Sequence, residues 1–142
     1  MEKEELRVLI NKELRELSED LKIDQSSIDE EWKKFPVIFF KWSQRYIECK
    51  NIANEALIQL NFIEGFVGHD VRCDRNKYKL PCGPTETAVK NIVVLDKNYN
   101  EAKLNYENIM VRVELLSSAL KALEHKISTL ENLSHLTVVN KI

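Results

Sequence analysis

The stretch "AVKNIVVLDKNYNEAKLNYENIMVRVELLSSALKALEHKISTL", residues 88 to 130, carries the most regular pattern in the chain. From Ala88, apolar residues recur at Ile92, Leu95, Tyr99, Ala102, Tyr106, Ile109, Val113, Leu116, Leu120, Leu123, Ile127 and Leu130, in unbroken alternating steps of four and three. These are the a and d positions of a heptad repeat, and they predict one helix of about 65 Å at roughly 1.5 Å per residue. The rest of one small domain cannot wrap a helix of that length. The pattern therefore predicts a homo-oligomer whose interface is formed by Ile109, Val113, Leu116, Leu120, Leu123, Ile127 and Leu130. Val89, Met110, Ser117 and Ala119 lie beside the seam and widen it, which suits a bundle or ring better than a simple dimer. Lys126 and Glu131 fall at successive g and e positions, where a pair between neighbouring helices adds only about 0.2 to 1 kcal/mol and mainly steers register.

The same rhythm fills residues 25 to 67, with apolar positions from Ile28, Trp32, Phe35, Phe39 and Trp42 through Cys49, Ala53, Ala56 and Leu60 to Val67. It predicts a second long helix, opened by a capping box of Ser27 and Glu30 and kinked or broken near Pro36. Leu6, Ile10, Leu14, Leu17 and Leu21 predict a shorter amphipathic helix over residues 1 to 22. Gly65, Gly68, Pro81, Gly83 and Pro84 bracket a basic connection over residues 68 to 84, in which "VRC" and "KYKL" suggest a small hairpin about "DRN". Thr85 is placed to cap a last helix over residues 85 to 133, followed by a frayed or strand-like tail "SHLTVVNKI". The fold class read from these segments is all-α, one domain over residues 1 to 142, with a short N-terminal helix and two elongated antiparallel helices.

Composition agrees. Of 142 residues, 44% are hydrophobic, 31% charged and 8% aromatic, with three glycines and three prolines, as in a soluble helical protein. No stretch reaches the roughly 20 apolar residues of a membrane span, and "MEKEELRVLINKELRELSEDLK" lacks the basic start and apolar run of a secretory signal. A reducing cytoplasm is the expected setting. Cys49, Cys73 and Cys82 form neither an even framework nor a CxxC pair, so free thiols are expected. The net charge of −2 excludes a global basic footprint for nucleic acid, yet Arg72, Arg75, Lys77 and Lys79 against Asp74 make residues 71 to 80 locally +3.

Three kinds of chemistry bear on the function of the chain. His69, Asp70, Cys73 and Cys82 lie close together, but zinc sites use pairs two to four apart and these cysteines are nine apart. No cofactor is expected. A phosphate loop, an HExxH helix or a Ser, His and Asp arrangement is missing, and His125 and His135 read as exposed helical residues, so the chain reads as a non-enzyme. Single-stranded nucleic acid needs cations along its phosphates and aromatic faces for its bases. Tyr78 between Lys77 and Lys79, with Arg72 and Arg75 beside them and Lys41 and Arg45 on the second helix, offers both. A merely solvated loop is the competing reading. Trp32, Phe39 and Trp42 keep the heptad spacing and read as core rather than as stacking platforms.

"IDQSSIDEEWKKFPVIFFKW", residues 23 to 42, resembles the N-terminal signature of the UvsY-type recombination mediators of T-even-type bacteriophages, in its Ile-Asp start, Ile28, the aromatic-rich turn and Lys41-Trp42. Residues 85 to 123 are similar to the C-terminal region of the same family, with a Thr-Glu opening, Asp96-Lys97, Tyr106 and "SSALKAL" in register. The resemblance implies a non-enzymatic protein of the infected cell's cytoplasm that binds single-stranded DNA and assembles into a hexamer or heptamer. It implies two further partners: a RecA-like phage recombinase, which it loads, and the phage single-stranded DNA-binding protein, which it displaces or remodels. One departure matters. The family's Lys and Arg pair that contributes to DNA binding corresponds here to Leu60 and Phe62 in "QLNFIEGFVG", which leaves the basic stretch downstream as the substitute. A helical chaperone or assembly scaffold of the prefoldin kind, two long helices flanking a hairpin, fits the periodicity as a second reading.

Overall fold

The computed structural model describes residues 3–74, 76–80, 83 and 85–140, apart from the side chains of Thr137, Val139 and Asn140. Its elements are α1 (Lys3–Leu21), a single 3-10 turn (Gln25–Ser27), α2 (Ile28–Cys73), α3 (Glu86–Val93) and α4 (Lys97–Asn140), with no strand among the described residues. The all-α class and its two long helices, of 46 and 44 residues, follow from the heptad rhythm. The chain divides into two compact units, one made of Met1–Lys50 with Val111–Ile142 and the other of Asn51–Met110.

The first unit packs α1, the first half of α2 and the second half of α4. Trp42, Leu116, Ala119, Leu123 and Leu130 are completely buried, and Leu6, Phe35, Cys49 and Val113 nearly so. Trp32 donates from Nε1 to Ser134 Oγ at 2.8 Å, which fixes the start of α2 against the end of α4 in antiparallel register. The seam residues Val113, Leu116, Leu123 and Leu130 are thus covered by the chain's own helices. Ile109, Leu120 and Ile127 are half-buried beside them. Lys126 is likewise turned inward, onto Glu31, instead of pairing with a neighbouring subunit.

Caps explain where the helices start. Asp24, not Ser27, caps the 3-10 turn that opens α2, accepting from Ser26 N at 3.0 Å, while Glu31 Oε1 reaches back to the Asp24 N–H at 3.2 Å. The helix then runs unbroken through Pro36, whose exposed position next to buried Phe35 lets packing of the neighbouring turns override the local cost of proline. α2 also passes Gly65 and Gly68 and ends only at Cys73, so "VRC" is helix and the expected hairpin gives way to a turn over residues 76–79.

The second unit contains the rest of α2, α3 and the beginning of α4. Its core is Val67, Val71, Val89 and Val93, with Ile63, Tyr78, Leu80, Ile92 and Tyr99 packed against it. Thr85 caps α3 through its hydroxyl, which accepts from Ala88 N at 3.2 Å. The expected single helix over residues 85 to 133 is interrupted: α3 stops at Val93, Asp96 Oδ1 accepts from Tyr99 N at 2.9 Å to start α4, and Asn100 Nδ2 donates to Val94 O at 2.9 Å. Leu95, a seam position in the sequence pattern, is 79% exposed at this junction. At the other end α4 continues to Asn140, so the tail is helical.

Candidate nucleic-acid interface

The last turn of α2 and the connection after it carry Arg72, Lys77 and Lys79. Asp74 N bonds back to Asp70 O at 2.9 Å, and Lys77 N donates to Asp74 Oδ1 at 3.4 Å, so the chain turns immediately after the helix. Lys79 N bonds to Asn76 O at 3.2 Å, and Lys79 itself takes a φ of 55°, the left-handed conformation that reverses the chain. This turn presents Lys77 and Lys79 to solvent while tucking Tyr78 against the valine cluster.

Asp70 organises the turn. It accepts from the Tyr78 hydroxyl at 2.6 Å, and Lys77 Nζ lies 3.8 Å from the same Oδ2 and 5.3 Å from the Tyr78 ring centre. That hydrogen bond to a carboxylate pushes the Tyr78 pKa up, and Tyr78 and then Asp70 raise that of Lys77, so the phenol stays neutral and the ammonium charged. Arg72 forks onto Glu86 of α3, with Nη2 at 2.9 and 2.8 Å from the two carboxylate oxygens. The pair is exposed and leaves the guanidinium reachable from solvent. Arg75 lies outside the described residues.

Lys41 and Arg45 belong to the first unit and face carboxylates. Lys41 Nζ is 2.6 Å from Asp20 Oδ2 and 3.0 Å from Glu16 Oε1, and Arg45 bonds both oxygens of Glu16 at 2.8 and 3.0 Å. Arg45 before all else, with Lys41 adding to it against the opposing effect of burial, holds the Glu16 pKa down at about 2. Trp42 lies under both cations, its ring centre 4.8 Å from Arg45 and 5.5 Å from Lys41, and its Nε1 donates to Asp20 at 2.8 Å. Fully buried, it offers no face to a base.

Cys82 lies outside the described residues. Among the described residues no three His, Cys, Asp or Glu side chains are placed to hold an ion; His69 Nε2 and Cys73 Sγ approach to 3.5 Å as an isolated pair. Among the described residues no helix is long and apolar enough to cross a membrane. Sequence reasoning missed the surroundings of Tyr78: Phe62 and Phe66, stacked with ring centres 6.5 Å apart, share a cleft with it. Their i, i+4 spacing was visible, but it lies off the buried register of α2.

No protein-family model and no curated protein matches the chain. Solved structures do. The chain has the fold of UvsY. Crystal structures of the bacteriophage T4 recombination mediator protein UvsY superimpose along nearly its whole length: lattice type II with a TM-score of 0.74 at 14% identity, covering 100% of this chain and 99% of that one, and lattice type IV with 0.72 at 16%, covering 99% of each. The UvsY likeness is one of backbone path. At that identity the side chains must be argued from this chain's own geometry, which for the basic turn means Arg72, Lys77, Tyr78 and Lys79.

Proposed function

We propose that the protein is a recombination mediator. It binds single-stranded DNA and loads a RecA-like recombinase by remodelling or displacing the phage single-stranded DNA-binding protein. The observation that supports this reading is the match to UvsY over essentially the whole of both chains. The role needs no catalytic group, only a surface that holds DNA and a surface that holds protein.

Lys77 and Lys79, with Arg72 beside them and Arg75 from the same stretch of sequence, neutralise phosphates in this reading, and the partly exposed ring of Tyr78 stacks on a base. Lys41 and Arg45 are left out because Glu16 and Asp20 already hold them. A single turn of this size binds weakly. A homo-oligomer of six or seven copies converts it into a multivalent track, in which each further contact is intramolecular.

Much of the apolar seam of α4 is buried within the chain, which favours another surface for that oligomer. The outer face of α2 in the first unit is the substitute: Val37, Phe40 and Ile47 are exposed and share one side of the helix, opposite buried Phe35, Trp42 and Cys49. The test is reconstitution: recombinase assembly on an oligonucleotide precoated with single-stranded DNA-binding protein, with and without this protein. Assembly that is equally slow in both cases removes the mediator reading.

A further inference from the structure

A cleft of about 540 Å³ opens in the second unit between α2, the 76–79 turn and the start of α4, within the range of roughly 300–1,000 Å³ usual for binding clefts. Its floor is apolar, built on Ile63 and Val67, and along its edge Phe62 and Phe66 are 71% and 66% exposed. Their rings lie nearly parallel, at 19° and 6.5 Å, which makes one continuous aromatic ledge that no internal packing requires. Exposed aromatic pairs of this kind are the anchors on which protein interfaces concentrate their affinity.

The charge around the ledge selects the occupant. Asp70, Asp96 and Glu101 line the cleft against one ammonium, that of Lys77, which already lies 3.8 Å from Asp70. Lys97 approaches Glu101 at 3.8 Å but does not line the cleft. Even with Lys97 counted, three carboxylates to two cations leave the cleft net negative, which disfavours phosphate and favours Lys or Arg, and the apolar floor strengthens that preference by lowering the local dielectric. We infer that this cleft docks a segment of a protein partner that presents arginine or lysine beside large apolar side chains. The polar surroundings of Tyr78 then divide: solvent-facing Lys79 and Arg72 suit a polyanion, and the cleft suits a cationic, apolar peptide.

The experiment uses the full chain and two labelled synthetic peptides, one alternating leucine with arginine and one alternating leucine with glutamate, followed by fluorescence anisotropy and hydrogen exchange. The arginine peptide is expected to bind and to protect amides within residues 59–70 and 96–105. The double variant Phe62→Ser/Phe66→Ser and, separately, Glu101→Lys are expected to weaken it about tenfold or more, as loss of an interface anchor does, with helicity unchanged. Equal binding of the glutamate peptide, protection elsewhere, or unaffected variants overturn the proposal. So does an oligonucleotide that protects the same segments, which makes the cleft a nucleic-acid site, or a change in mass of the Phe62/Phe66 variant, which makes a second copy the occupant.

Discussion

Lys126 reaches Glu31 at 3.1 Å from the far side of the first unit, and its ammonium also donates to the carbonyls of Asp20, at 2.7 Å, and Lys22, at 3.1 Å. Both side chains are buried, and the carbonyls are the unpaired acceptors at the end of α1, where positive charge is favoured. One cation thus ties the ends of α1, the start of α2 and α4 together. Replacing Lys126 with methionine strands the Glu31 carboxylate and is expected to cost about 3 to 5 kcal/mol in urea unfolding. Adding Glu31→Gln to that variant should restore a large part of the loss. If the single variant unfolds within about 1 kcal/mol of the wild type, well below the cost of an unpaired buried charge, the ammonium is not placed as described.

Acid should reveal the Glu16 and Arg45 pair. The folded pKa of Glu16 is depressed from 4.5 to about 2 by Arg45 first and Lys41 with it. A group depressed on folding contributes stability that is fully present above its unfolded pKa and is lost as pH falls through the folded one. The loss therefore falls between about pH 4.5 and about pH 2. Glu31 adds to the same trend: burial opposes its ionisation, but the Asp24 N–H and Lys126 outweigh that and hold its pKa low. Urea midpoints measured down this window should drop for the wild type and drop less steeply for Glu16→Gln. A parallel pH dependence in the two proteins contradicts the assignment.

The heptad steps told truly which face of each long helix is buried, because periodicity reports burial whatever does the burying. They could not tell whose helix covers the face. Leu116 and Leu123 look the same in sequence whether α1 and α2 of the same chain cover them or a second copy does. Nor did the pattern register the α3/α4 junction, because the turn at Val94–Asp96 leaves the steps of four and three intact on either side; Asp96 three residues before Tyr99 was the available signal, an N-cap inside an apparent helix. The basic turn was legible as composition, whereas the neutralisation of Lys41 and Arg45 was not, since Glu16 lies 25 and 29 residues away from them in the chain.

Binding of single-stranded DNA should be steeply salt-dependent if the 76–79 turn carries it. Each phosphate neutralised contributes a log-log slope of about −0.7, so changing Arg72, Arg75, Lys77 and Lys79 together to alanine should flatten the slope by up to about 3. Tyr78→Leu should cost about 1 to 3 kcal/mol in affinity if a base stacks there, with little change in slope. Lys41→Ala and Arg45→Ala should leave the slope alone and lower stability instead. A quadruple variant that keeps both affinity and slope takes the turn out of the mechanism.

Self-association distinguishes the two apolar faces of the first unit. Leu116 is fully buried inside the chain, whereas Phe40 is 68% exposed on the outer side of α2. Leu116→Ala removes packed methyl groups and is expected to destabilise each copy by about 2 to 5 kcal/mol, with the mass of the remaining folded protein unchanged. Phe40→Ser, alone or with Ile47→Ser, removes no internal packing and should leave unfolding of the single copy nearly as it was. Its effect should appear in sedimentation, as a shift from the assembled species toward the monomer with protein concentration held fixed. The opposite pattern, in which Leu116→Ala dissociates an otherwise stable protein and Phe40→Ser changes nothing, would return the interface to the α4 seam and require the first unit to open before copies meet.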